Sequence, residues 1–184
     1  GIAILMLTVI RAGRQLLIPL WGKALGLSTS DIGFLMGLAS AVDMCLFPVA
    51  GYLMDHWGRR YAAIACIGIL SLGLLMVPFT TSFGSLLLAA TLAAAGNGLG
   101  SGINMTMGSD FAPAKERGEF LGVWRLLSDI GSFAGPLLMG WIANTMMLSA
   151  AFFATSAMGT VGVLIVLLLV KETLEKGNPQ EDRL

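Results

Sequence analysis

Charge is what this sequence lacks most. Lysine, arginine, aspartate and glutamate make up 12% of its 184 residues, about half of the roughly 25% found in soluble domains. A soluble chain of this length could bury a core, but could not cover its surface with so few charges. Hydrophobic residues reach 56% and mean hydropathy is +0.83. Eleven basic residues balance eleven acidic ones, so there is no basic field to attract nucleic acid. Histidine occurs once, at His56, and cysteine twice, at Cys45 and Cys66. That scarcity provides no ligand cluster for a metal, haem or flavin, and no cofactor is expected. Both cysteines lie in apolar segments and read as buried free thiols rather than a disulfide.

What is present in quantity is long apolar sequence. Six runs, at about 2–22, 31–54, 61–79, 84–108, 119–142 and 147–170, are each long enough to cross a bilayer, which takes about 20 residues of helix. The fold class is therefore all-α and membrane-embedded, in contact with lipid throughout. No basic n-region precedes the first run, so it reads as a span rather than a signal peptide. The first residue is Gly1 and not methionine, so the chain reads as a fragment or a processed product. Ser28-Thr29-Ser30-Asp31 supplies an N-cap for the second span. Thr80-Thr81-Ser82 separates the third from the fourth, and Ala112-Pro113-Ala114 lies between the fourth and fifth. Residues 171–184 form a polar tail.

The basic residues set the orientation. Arg59 and Arg60 lie between spans two and three, Lys115 and Arg117 between four and five, and Lys171, Lys176 and Arg183 in the tail. The opposite side has Lys23 alone. The positive-inside rule places the richer side, with both termini, in the cytoplasm, and a plasma (inner) membrane location is expected. The connections are too short for a separate catalytic module.

The remaining basic residues lie inside spans, where a charge is costly and usually functional. Arg11, Arg14 and Gln15 share one face of the first span, at i, i+3 and i+4. The second span carries Asp43. The fourth carries Asn97, Ser101 and Asn104, and the fifth Arg125, Asp129 and Ser132, both at i, i+4 and i+7. The third and sixth carry no charge between Tyr61 and Phe79 or between Met147 and Val170. Two polar-faced spans and one apolar span thus occur twice, in opposite orientation. Inverted triplets whose polar faces meet in mid-membrane are a transporter architecture. The first two spans of each triplet are expected to line a water-filled path, and the third to face lipid. Either Arg11 or Arg14 is expected to pair with Asp43, and to hold a polar or anionic solute or exchange partners as the path opens. The plainer alternative is that both arginines snorkel to the interface. Arg125 and Asp129 equally read as an i, i+4 structural pair. Asp43 or Asp129 is the candidate proton carrier.

Residues 51–60 read GYLMDHWGRR. Gly51 permits close helix approach, Asp55 stands where it can accept from a neighbouring helix N-terminus or an Arg, Gly58 permits a tight turn, and Arg59 and Arg60 meet an anionic leaflet. This stretch resembles the signature loop of the major facilitator superfamily, G-x-L-x-D-x-x-G-R-R, at Gly51, Leu53, Asp55, Gly58, Arg59 and Arg60. The resemblance implies a loop joining the second and third helices of a six-helix half and acting as a cytoplasmic gate. DFAPAKERG at 110–118 is similar to the family's D-x-x-P-x-x-x-R-G run. GSFAGPLLMG at 131–140 resembles the Gly-Pro motif of drug/proton antiporters, except that Met139 stands where glycine is usual. The fourth span departs from the N-terminal half of the family. It has no Arg, and instead carries Gly96, Gly98, Gly100 and Gly102. That departure and the polar tail favour a C-terminal half, while the gate loop and Gly-Pro run can be argued the other way.

The resemblance implies a secondary transporter of a small solute, working by alternating access with protons as the candidate coupling ion. It would be completed by a second six-helix half in cis or by a homodimer partner. A non-transporting six-helix scaffold or receptor is the alternative. An intramembrane serine protease would need a histidine within a span, and His56 lies in a loop. A channel would need a filter or a charge ring, and none is legible. The glycines of the fourth span follow no strand and precede no lysine, so they are no nucleotide loop.

Overall fold

A computed structural model of the protein describes residues 1–100, 102–113 and 115–169. Ser101, Ala114 and the tail lie outside these. Every element among the described residues is helical: α1 (Ile2–Ala24), α2 (Thr29–Cys45), α3 (Phe47–His56), α4 (Arg59–Met76), α5 (Phe83–Leu99), α6 (Ile103–Phe111), α7 (Arg117–Thr145) and α8 (Leu148–Leu169), with a 3-10 turn at Val77–Phe79. They make six stretches long and apolar enough to cross a membrane: α1, α2 with α3, α4 with its turn, α5 with α6, α7, and α8.

The starts of the second and fourth spans are set by capping. The Ser28 hydroxyl accepts from the Asp31 amide at 3.1 Å, and the Asp31 carboxylate accepts from the Ser28 amide at 3.2 Å, a reciprocal capping box. Ser82 and Ser85 repeat it at the head of α5.

The same two spans are interrupted, which the apolar run lengths did not show. Pro48 in the first turn of α3 has no amide to donate and clashes with the carbonyl four residues back, so the second span breaks at Leu46. The fourth breaks between Gly100 and Gly102, where Gly102 adopts a left-handed φ of 81° open to glycine at little cost. Pro19 and Pro136, in contrast, lie within unbroken helices.

Packing follows the inverted triplet pattern. The main contacts are α1 with α7, α2 with α5, α4 with α5, α1 with α8, and α4 with α8. Exchanging the triplets, so that spans one, two and three take the places of four, five and six, maps each of these contacts onto another or onto itself. The α4–α5 seam is the tightest. A Cβ at Gly96 would be driven into the Leu70 backbone, and one at Gly73 into that of Ala93, so glycine permits backbone-to-backbone contact.

One expectation is corrected here. The third span does not simply face lipid. Half of it is buried, against about a tenth of the second span. Ala62, Cys66, Ile67, Leu70 and Leu74 of α4 sit fully inside, while Tyr61, Leu72, Leu75 and Met76 are exposed. The spans left open are the second and the fifth, with Phe34, Phe47, Val123, Phe133 and Trp141 on their free faces. Apolarity marks a span as buried in something; it does not distinguish protein from lipid. Cys45 is exposed for the same reason, since α2 is barely covered, while Cys66 is buried. Both are free thiols.

Candidate functional site

Arg11 and Arg14 fall at the middle of the 23-residue α1 and point into the bundle. Arg14 is buried, with 8% exposure, and its Nη2 lies 3.5 Å from Asp43 Oδ2 in the last turn of α2. The Asn97 amide in the last turn of α5 donates to that same oxygen at 2.6 Å. Arg11 does not reach Asp43. Its Nη2 donates to the Gly100 carbonyl at 2.9 Å and lies 3.5 Å from the Asn97 carbonyl and from Cys66 Sγ. Arg11 thereby caps the C-terminal end of α5, as a second donor to carbonyls that already accept backbone bonds from Gly100 and Ile103.

Two guanidinium groups meet one carboxylate and, at the end of α5, backbone carbonyl oxygens. Both α2 and α5 end at this level because of the two breaks. Three buried atoms, Arg11 Nε, Arg14 Nε and Asp43 Oδ1, have no hydrogen-bond partner among the described residues.

A second constellation lies between α6 and α7. The Trp124 indole donates to Asn104 Oδ1 at 2.7 Å and to the Asn104 carbonyl at 2.8 Å. The Asn104 amide donates to Ser128 Oγ at 2.8 Å. Phe120 stacks on Trp124 with centroids 5.8 Å apart. Asn104, Trp124 and Ser128 line an open groove of about 610 Å³ with Thr8, Met105, Arg125, Asp129 and Ser132, within the size range of small-molecule sites. Arg125 and Asp129 stand 4.0 Å apart and are 80% and 68% exposed. A pair this open contributes little to stability, so both side chains are available to a solute. Gln15 is also exposed on α1. Ser101 lies outside the described residues.

The loop motif occupies one end of the bundle. Gly58 turns the chain with φ of 104°. Arg59 Nε lies 3.2 Å from Asp110 Oδ2 and its Nη1 donates to the Met54 carbonyl at 3.4 Å. Arg60 donates to the Leu167 carbonyl at the end of α8, and Arg117 to Ser109 Oγ. The start of α4 is thus tied to α6 and α8. Asp55 is exposed, and the carboxylate that Arg59 pairs with is that of Asp110. Gly51 was expected to admit a neighbouring helix, but a Cβ there would meet nothing within 4 Å among the described residues.

Sequence reasoning thus named Arg11, Arg14, Asp43 and Asn97, which the fold gathers, and Asn104, Arg125 and Asp129, which share the groove. It did not single out Cys66, Trp124 or Ser128. The signals for the last two were present: Trp124 adjoins Arg125, and Ser128 follows it four residues on, one turn away.

The arrangement has counterparts. Residues 2–183 match the model of the Major Facilitator Superfamily, a family of transport proteins and not enzymes. The chain is 30% identical over 140 residues to the MFS-type efflux transporter ffsH of Aspergillus flavipes, covering 74% of this chain and 24% of the relative. It is 25% identical over 161 residues to the quinolone resistance protein NorA of Staphylococcus aureus, covering 84% and 40%. In three dimensions it resembles the proton:xylose symporter XylE with a TM-score of 0.67 at 18% identity, over 93% of this chain and 39% of that one. The chain therefore spans about a quarter to two fifths of the length of these relatives.

Proposed function

The chain belongs to the major facilitator superfamily, and from that premise we propose that it is the C-terminal six-helix half of a proton-coupled secondary transporter. It exports a small amphipathic solute across the plasma membrane by alternating access. The observation that carries this reading is the buried Arg14–Asp43–Asn97 cluster, at 3.5 and 2.6 Å. An ion pair deep in a membrane bundle costs desolvation and is retained where charge must change hands. Protonation of Asp43 would release Arg14 and leave Asn97 as its partner.

Other features support the rest. The groove along α6 and α7 is open and includes residues of the fifth span, which is largely uncovered; the other half would close it. The absence of an Arg from the fourth span favours the C-terminal half. The basic end, with Arg59, Arg60 and Arg117, is assigned to the cytoplasm by the positive-inside rule. Export is favoured by the similarity to the efflux transporter ffsH.

The test is transport by the natural full-length protein in proteoliposomes under an imposed pH gradient, across a panel of amphipathic solutes. Solute movement that collapses when protons are equilibrated supports the reading. Movement indifferent to the gradient removes the proton coupling, and none with any solute removes transport.

A further inference from the structure

Arg11 stands apart from the proton-carrier reading. It touches no carboxylate among the described residues. Its contacts are the carbonyls of Gly100 and Asn97 and the sulfur of Cys66. Carbonyl oxygens at the C-terminal end of an interrupted membrane helix are the ligand set that coordinates small cations in transporters with broken spans. Here the chain occupies that position itself. A Cβ at Gly100 would collide with Arg11 Nη2 and with Cys66 Sγ, so the guanidinium is seated directly against the backbone at the break. Cys66 has 0% exposure and forms the floor.

We propose that the break in the fourth span is a cation site whose resident is the tethered guanidinium of Arg11. Without it, the site takes a small free monovalent cation, guanidinium by preference. The second lone pairs of the Gly100 and Asn97 carbonyls at the end of α5 hold a positive charge in place, and that charge joins α1 to α5 at the level of the break. Arg11 is in this sense a positioning residue. It fixes the end of α5, from which Asn97 reaches Asp43, and it need not contact any solute. The proposal does not depend on transport.

Cys66 serves as the reporter. The experiment uses the natural full-length protein in detergent, with every other cysteine, Cys45 included, changed to serine. Modification of Cys66 by a methanethiosulfonate reagent, cationic or anionic, is followed together with the thermal midpoint. Replacing Arg11→Ala removes a charge-assisted contact to the break, and is expected to raise Cys66 labelling by about tenfold or more. The cationic reagent should gain more than the anionic one, because the emptied site is electronegative. Tens of millimolar guanidinium chloride should slow labelling and raise the midpoint of the Ala variant, but not of the parent protein. Urea, its neutral counterpart of the same shape, should do neither. Rescue by sodium chloride as well would support the proposal and widen the cation class. Equal rescue by urea, no rescue at all, or unchanged labelling in Arg11→Ala would overturn it. If Arg11→Ala does not fold, Arg11→Lys and Arg11→Gln decide the matter. Lys keeps Cys66 protected and Gln does not, and equal protection in the two overturns the proposal.

Discussion

Asn97 Nδ2 lies 2.6 Å from Asp43 Oδ2, closer than the arginine that shares this oxygen at 3.5 Å. The carboxylate is thus held chiefly by a neutral amide from α5, and the charge on α1 is the looser of its two partners. A close neutral donor orients the group, while a longer contact to a charge can be released without loss of that orientation. The other carboxylate oxygen has no partner among the described residues.

Removing one member of the buried pair strands the other. Asp43→Asn and Arg14→Gln are each expected to destabilise the protein by about 3–5 kcal/mol, and the double variant by clearly less than the two together. Thermal unfolding in detergent across the four-member cycle checks this. Additive losses would show that the pair is not coupled.

For transport, Asp43→Asn should abolish movement driven by a pH gradient and leave solute-for-solute exchange intact, since exchange needs no net proton transfer. Counterflow and gradient-driven assays on one proteoliposome preparation separate the two. Gradient-driven movement that persists in the variant would end the role of Asp43 as proton carrier.

At the loop end, Arg59 and Asp110 form an ion pair joining the start of α4 to α6. Arg59→Asp and Asp110→Arg should each slow transport several-fold, and the exchanged pair should recover much of the rate. Partly exposed pairs give about 0.2–1 kcal/mol, so the effect should be read in rates and not in the thermal midpoint. Equal defects in single and double variants would assign the two residues separate tasks.

The groove gives a fourth expectation. Trp124→Phe keeps the ring against Phe120 but removes the indole donor, leaving Asn104 short of a partner at a cost of about 1–3 kcal/mol. Apparent solute affinity should weaken while the pH dependence of transport stays unchanged. A shifted pH profile would mean that the groove and the ion cluster are a single unit.

Glycines offer a contrast within one protein. Gly96→Val forces a side chain into the Leu70 backbone, and should cost at least about 3 kcal/mol and deplete folded protein. Gly37→Ala meets nothing within 4 Å among the described residues. It should leave the unfolding midpoint unchanged if that face of α2 stays open, and move it if another half packs there.

The number, order and inversion of the spans were legible because a membrane span is defined by length and apolarity, both properties of one continuous stretch. Charge inside such a stretch is rare enough that Arg11, Arg14 and Asp43 were conspicuous. Which arginine would meet Asp43 was not legible, because i, i+3 positions share a face and the choice depends on where the neighbouring helices end. Those ends are set by Pro48 and by the Gly100–Gly102 turn. Proline alone is an unreliable sign, since Pro19 and Pro136 lie in helices that continue. The exposure of α2 and α7 was likewise hidden, because an apolar face reads alike whether lipid or protein covers it.

The two interrupted spans have upper segments of equal length, 17 residues each in α2 and α5. They run side by side in the same direction, so their interruptions share one level of the bundle. A helix resists bending through its ladder of backbone bonds, and at this level two of the six ladders are open. That makes the level a crease, with α1, α4, α7 and α8 running unbroken past it as stiff battens. Arg11 and Arg14 cross the crease like rivets, one through each interrupted span, which is where fasteners change flexibility most for the fewest residues.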